Sequence, residues 1–600
     1  MLKKVLSIVM AAALSLQLSA AVSAAEPSII SAPPETVVLL HTNDAHGEVG
    51  GYGKVAALKR QYEEEGNYVL LIDAGDFSQG DPAVSADRGA SAVELMNLAG
   101  YDVCIPGNHE FDFGYDNAKK LAGTAEFPML CANILYEGKP AFEGSRIFTT
   151  PGGTRIGMFG ISTPETATKA HPAKIAGLTF QGTQDPEEMF DCARRQVEGL
   201  QAENCDLVIC ISHLGIDEES AGTRSTDLLE AVDGIDIMID GHSHSTLEQI
   251  REATGGTGMV NGAYLTSAGT KLQYIGKITV SDGKVTEVSE IAAKDLEIGP
   301  VREVQERADA IKDHIDKEYG AAFAETEMQL DGEKKHVRTG ETNLGDLISD
   351  AMLWSCEKNG IEVDAAVNNG GNIRASIGAG SITKKDVNTV LPFENILYTV
   401  KLTGRELLET LEAATFCSPE PLGGFPQVAG IRFKVNTAAG YDAGGNYPGS
   451  TFRRPASIKR VTILSVDGKP FDPDASYTIV TNDFLASGGD MYGVFKNAEG
   501  KNLGIALDKA VMEYIGTELG SLVTKAQYGA ADGRIIVSAE EDPVPAGSRY
   551  TVKSGDSLWR IARAVYGRGS RWTVIYEANR ETVRDPSLIY TGQEIFLPAA

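Results

Sequence analysis

Cysteine is scarce in this 600-residue chain: seven residues, an odd number, with no CxxC pair. That excludes a cysteine-based metal site, which needs closely spaced thiols. Disulfide pairing stays open, and Cys210, inside the apolar run DLVICIS, reads as a buried structural thiol. Basic charge is also short, with 54 Lys and Arg against 83 Asp and Glu and a formal net charge of −29. Phosphate repulsion argues against a polymeric nucleic-acid partner, although a metal and a few arginines can still reverse the field around a small anion. Histidine is missing after residue 336, since all nine lie at or before His336. An imidazole-based metal centre must therefore draw on the residues up to that point. After the N-terminus no run is long and apolar enough to span a bilayer.

The start, MLKKVLSIVMAAALSLQLSAAVSAAEPS, pairs a basic end with an apolar run and small residues at VSAA. It predicts a signal peptide over residues 1–25, hence an exported protein with no membrane association after cleavage. From about 36 to 297, the runs TVVLLHTND, YVLLIDAGD, YDVCIPGNHE, RIGMFGIST, DLVICISHLG and IDIMIDGHSH share one form. Each is an aliphatic strand that closes on Asp, Asn, His, Ser or Gly, which is how an α/β fold lines its crevice. A charged helical stretch over 298–325 reads as a linker helix, and a second α/β region follows over 326–538. The acidic, Pro-bearing segment 539–547 is a linker, and 548–600 a small separate module.

The polar strand ends carry the chemistry. Asp44 and His46 stand at i, i+2, as do His242 and His244; on extended backbone that spacing turns both side chains to one face. Asp76, Asn108 and His213 close three other runs. Imidazole mixed with carboxylate suits Zn, Mn, Co or Fe rather than Ca. Seven ligands exceed one catalytic ion and fit two divalent metal ions sharing a carboxylate. In IPGNHEFDFG, consecutive side chains diverge, so Asn108 can ligate while His109 faces substrate and Asp112 holds its other ring nitrogen. Glu110 reads as a structural hydrogen-bonding residue. Strand alternation turns His41 away with Asn43 and makes it structural, and His171 and His314 have no motif context.

In order and spelling, HTNDAHG, GDFSQG, GNHEFD, SHLG and GHSH resemble the calcineurin-like metallophosphoesterases. With KKHVRTGETNLG, NNGGNIR, VLPFEN and TNDFLASGGDMY, the stretch 36–538 resembles the bacterial 5′-nucleotidases. The resemblance implies a four-layer αββα sandwich followed by an α/β substrate domain. It implies one metal site from Asp44, His46, Asp76 and His244, and another from Asp76, Asn108, His213 and His242. His109 and Asp112 become a catalytic dyad. Arg338 and Arg374 would bind phosphate, Phe393 and Phe484 would clamp the base, and Asn369 and Asp490 would contact base or ribose. Some relatives carry Gln where His244 stands, and Lys334 stands where some carry Arg. The implied reaction is hydrolysis of nucleoside 5′-monophosphates by in-line attack of a metal-activated hydroxide, with no covalent phospho-enzyme. Cyclic nucleotides and UDP-sugars are alternative substrates for the same scaffold, and a catalytically inactive glycan-binding surface protein is the alternative of another class. The family also implies a domain rotation about 298–325.

The tail RYTVKSGDSLWRIARAVYGRGSRWTVIYEANRETVRDPSLIYTGQEIFLP reads strand, helix, helix, strand and resembles a LysM module. That implies binding to peptidoglycan or another N-acetylglucosamine glycan, and a cell-wall location. Gly555, Asp556, Ser557 and Leu558 would face Asp585, Pro586 and Ile589 across a shallow groove.

Overall fold

The computed structural model describes residues 35–539, 546–552, 556–590 and 592–599. The expected signal peptide, Gly555 and most of the 539–547 linker lie outside the described residues. Two large sheets build the first region, beside a small three-stranded one. The first sheet draws on β1 (Thr36–Thr42), β2 (Tyr68–Asp73) and β3 (Val103–Cys104). The second sheet uses β4 (Ser145–Thr149), β5 (Arg155–Ser162), β6 (Leu207–His213), β7 (Ile237–Ile239), β8 (Met259–Val260) and β9 (Ala263–Thr266). Strands β10 (Tyr274–Ser281) and β11 (Lys284–Ala292) return to the first sheet. The orders are β11-β10-β1-β2-β3 and β8-β9-β7-β6-β5-β4.

Alternation explains the layering. Val37 and Leu39 point into a core shared by both sheets, with Leu70, Ile72, Ile156, Ile209 and Ile237. Val38 and Leu40 point the other way, onto helices Tyr52–Glu64 and Ala90–Ala99. On the far side Cys210 and Met238 pack against helix Pro186–Ala202. The central strands are thus buried on both faces, as their near-continuous aliphatic spelling requires, and the result is the expected αββα sandwich. Both sheets release their polar strand ends on one edge.

The charged helix Arg302–Tyr319 is not a free spacer. Its Val304, Ala308, Ile311 and Ile315 are buried in the first region's outer core, an amphipathic stripe at helical spacing. The second region holds a five-stranded mixed sheet whose strands include Ala365–Asn369, Ile396–Thr403 and Ser476–Asn482. Helix Asn343–Lys358 packs over it, capped by the Thr342 hydroxyl, which accepts from the Gly345 N–H at 3.1 Å. In the terminal module, strands Arg549–Thr551 and Glu594–Phe596 pair antiparallel around helices Leu558–Tyr566 and Trp572–Ala578. All seven cysteines are free thiols, and Cys210 is fully buried. Among the described residues no helix is long and apolar enough to cross a membrane.

Candidate metal centre and nucleotide cleft

Five strand ends converge: those of β1, β2, β3, β6 and β7. After β1, β2 and β7 the chain turns sharply. Asp44, His46, Asp76, His242 and His244 all have positive φ, between 44° and 76°. Left-handed backbone at residues other than glycine costs about 1–3 kcal/mol apiece and clusters where function demands an unusual aim. The expectation that i, i+2 spacing on extended chain would align Asp44 with His46, and His242 with His244, is therefore corrected: tight left-handed bends bring them together. Backbone bonds hold the bends, with Asp44 N–H donating to Gly75 O at 2.9 Å and His46 N–H to Asp76 O at 3.0 Å. Gly107 is forced by proximity, since a Cβ there would lie 2.2 Å from Asp76 Oδ1.

Three ligand-bearing groups result, each with its atoms within 4.8 Å of one another: Asp44, His46 and His244; His46, Asp76 and His109; Asp76, His213 and His242. Asp76 joins the last two, and its Oδ2 lies 3.1 Å from His213 Nε2. His244 Nε2 lies 3.4 Å from Asp44 Oδ1. Asn108 Oδ1 is buried without a hydrogen-bond partner. His213 Nδ1 lies 2.6 Å from Ala74 O, a contact that places its proton on Nδ1 and leaves the Nε2 lone pair facing the cluster. Burial holds His46, His242 and His244 well below the ordinary histidine range, so they are neutral donors. Burial also pushes Asp76 up, but the imidazoles of His213 and His109 outweigh it and keep the carboxylate charged. Conversely, Asp76 and Asp44 draw His213 up to about 10 against the effect of burial. Two nearly inaccessible carboxylates thus call for positive charge in this cage.

Glu110 is fully buried and accepts from the N–H groups of Asp76, Phe77, Ser78 and Gly107 at 2.6–3.0 Å. It shapes the Asp76 loop, as expected. His109 Nδ1 meets Asp112 Oδ2 at 2.6 Å, while its Nε2 lies 3.9 Å from Asp76 Oδ2. Burial raises the Asp112 carboxyl, and His109 counters that. His41 is buried with Nε2 3.2 Å from Thr266 Oγ1, and burial lowers it to about 3. It stays apart from the cluster.

A cavity of about 320 Å³ opens over this centre, and the second region forms its far wall. Arg338, Asn369, Arg374, Phe393, Phe484 and Asp490 all line it, together with Asp76, Asn108, His109, Asp112, His242 and His244. Asp44, His46 and His213 are not among the lining residues and are almost wholly buried. Arg374 Nη2 stands 3.5 Å from both His46 Nε2 and His109 Nε2. Phe393 stacks on the His109 ring with centroids 5.6 Å apart, and Phe484 rests on Gly489. Asn369 Nδ2 donates to Asp490 Oδ2 at 3.0 Å. Burial, with repulsion from Arg338, lowers Arg374 to about 10, and burial lowers Lys334 to about 8. This wall brings two guanidiniums to the cleft, while Lys334 pairs with Asp217 at 3.8 Å.

Sequence reasoning missed Glu165, Lys169 and Glu219, which sit beside the centre without a recognisable motif. It also set aside His171, which lines the cavity with Nε2 4.0 Å from Asp483 Oδ2. Lys334 lines the cavity too, and its Nζ donates to Ser243 O at 3.1 Å.

Residues 37–246 match the calcineurin-like phosphoesterase family, residues 321–497 the 5′-nucleotidase C-terminal domain, and residues 550–598 the LysM domain. The first large region is thus a calcineurin-like phosphoesterase domain and the second a 5′-nucleotidase C-terminal domain. The chain has in these two the domains of a metal-dependent phosphoester hydrolase. Over 551 residues it is 29% identical to the trifunctional nucleotide phosphoesterase protein YfkN of Bacillus subtilis, covering 84% of this chain but 35% of that protein. It is 28% identical to a 5′-nucleotidase of Vibrio vulnificus, covering 76% of this chain and 85% of the relative. The crystal structure of a 5′-nucleotidase precursor from Thermus thermophilus superposes with a TM-score of 0.69 at 26% identity, over 84% of this chain and all of that one. In the LysM domain, Asp556, Ser557, Leu558, Pro586 and Ile589 line one groove with Trp559 and Trp572. Asp585 instead accepts from Ser587 N–H at 2.9 Å, in the turn beside it.

Proposed function

We propose that this protein hydrolyses nucleoside 5′-monophosphates to nucleoside and phosphate, outside the cytoplasm and against the cell wall. The observation that carries this reading is the single cleft in which a histidine–carboxylate cage faces an arginine–phenylalanine wall. The cage suits divalent metal: burial keeps the His46, His242 and His244 imidazoles neutral, its carboxylates are buried, and the Asn108 carbonyl oxygen has no other partner. Asp44, His46, Asp76 and His244 would hold one ion, and Asp76, Asn108, His213 and His242 another. Metal bound there supplies activation of water and neutralisation of phosphoryl charge.

The chain's own residues do the rest. His109, oriented by Asp112, presents Nε2–H to the phosphoryl oxygens or the departing 5′ oxygen. Arg374 and Arg338 hold the phosphate with forked N–H donors. Phe393 and Phe484 sandwich the base, a contact worth about 1–3 kcal/mol per ring with little base preference. Asp490, steadied by Asn369, accepts from ribose hydroxyls. The N-terminal apolar run and the LysM domain support an exported, wall-bound protein whose glycan partner contains N-acetylglucosamine.

The test is chromatographic product analysis on a panel of AMP, 2′,3′-cyclic AMP, UDP-glucose and NAD, with phosphate release followed for AMP and metal analysis on the same sample. AMP turnover by metal-loaded protein is the expected result. Full metal loading with no turnover on any member would leave a glycan-binding surface protein.

A further inference from the structure

Five strand ends bring the cage together, but the sixth, after β5, contributes no predicted ligand. Its loop carries Glu165, which is 1% exposed. The Glu165 Oε2 lies 3.2 Å from His242 Nε2. A carboxylate on one imidazole nitrogen fixes the tautomer and ring orientation, leaving the other nitrogen's lone pair for a ligand. The same Oε2 lies 3.8 Å from Lys169 Nζ, one helical turn further along the loop. Lys169 pairs in turn with Glu219, a buried carboxylate from the loop after β6. Glu219 Oε2 accepts from the N–H of Gly423, which belongs to the second domain, at 3.1 Å. The loop makes one more bond across the cleft, from Asp490 N–H to Thr168 O at 3.0 Å.

These contacts form an unbroken path from a backbone amide of one domain to an imidazole of the metal cage in the other. Its charged members are buried, and a buried carboxylate that loses its partner is costly. With the second domain seated, Gly423 takes up a lone pair of Glu219, and Lys169 and Glu165 are drawn into register with His242. Withdrawing that domain strips Glu219 of its N–H donor and leaves Lys169 shared between two carboxylates with no fixed anchor.

We propose that Glu165 is a positioning residue that couples seating of the second domain to the orientation of His242, through Lys169 and Glu219. The proposal rests on the metal-cage reading above. Its signature is that a residue outside the ligand set, Glu219, tunes metal affinity.

The experiment measures divalent metal affinity by equilibrium dialysis of the full chain against Mn²⁺ or Zn²⁺, with and without adenosine and phosphate to favour the seated arrangement. Wild type, Glu165→Ala, Glu165→Gln and Glu219→Gln are compared, with thermal melts to confirm folding. Glu165→Ala is expected to weaken the looser of the two sites about tenfold to a hundredfold. Glu165→Gln keeps an acceptor for Nε2–H and should restore most of that affinity. In wild type the products should tighten metal binding, and in Glu219→Gln that tightening should disappear while both ions still bind. Should Glu165→Ala fail to fold, Glu219→Gln alone decides the coupling. Wild-type affinity in Glu165→Ala, or undiminished product-linked tightening in Glu219→Gln, overturns the proposal. Absence of metal from wild type itself would instead overturn the metal-cage reading.

Discussion

The two walls of the cleft are built by opposite means. On the first domain, the candidate ligands are mostly buried, five of the seven sit on left-handed bends, and the Asp76 loop is braced by backbone bonds and by Glu110. On the second domain, Phe393 and Phe484 are half-buried and Arg338 Nε has no hydrogen-bond partner. The first wall is over-determined before any ligand arrives, and the second is completed by one. Chemistry that needs fixed geometry belongs on the first, and recognition that must release its product belongs on the second.

Four perturbations sharpen that contrast, in falling order of effect. Asp76→Ala removes the carboxylate common to two of the ligand groups. It should strip metal from the protein and lower AMP turnover by about 10³-fold or more, read by elemental analysis and phosphate release. His109→Ala should cost roughly 10²–10⁴ in turnover while both metals remain. Loss of metal from that variant would move His109 into the cage. Changing Phe393 and Phe484 together to Ala should raise the KM for AMP by about 10–100-fold, from stacking of about 1–3 kcal/mol per ring. Cleavage of a small aryl phosphate should be spared, and equal loss on both substrates would erase the distinction between the walls. A chain ending at residue 539 should keep its AMP kinetics and lose retention on peptidoglycan. Its buried core, Leu558, Ile561, Ile575 and Leu597 among others, is the module's own.

Much of the first wall was legible because a strand buried on both faces cannot keep polar residues except at its ends. Asp44, Asp76, Asn108, His213 and His242 each interrupt an aliphatic run, so their convergence could be read before the fold was known. The reason for convergence could not. Period-two spacing suggests extended backbone, whereas the positive φ values at Asp44, His46, His242 and His244 reflect tertiary contacts no local pattern encodes. Glu165 and Lys169 were invisible for a related cause: ISTPETATK spells an ordinary turn, and only the opposing His242 and Glu219 give it meaning. His171 lies in that same loop, and the second domain brings Asp483 to it. The helix Arg302–Tyr319 looked isolated because charge dominates its spelling, although its four buried apolar residues keep a helical spacing.

The central claim is that Asp44, Asp76, Asn108, His213 and the paired histidines hold two divalent ions that the reaction requires. The most direct measurement is stepwise return of Mn²⁺ or Zn²⁺ to chelator-stripped protein, with bound metal and phosphate release from AMP followed on the same sample. The account predicts saturation at two ions per chain, with turnover rising in step. Undiminished turnover by the metal-free protein, or two bound ions with no release of phosphate, would contradict it.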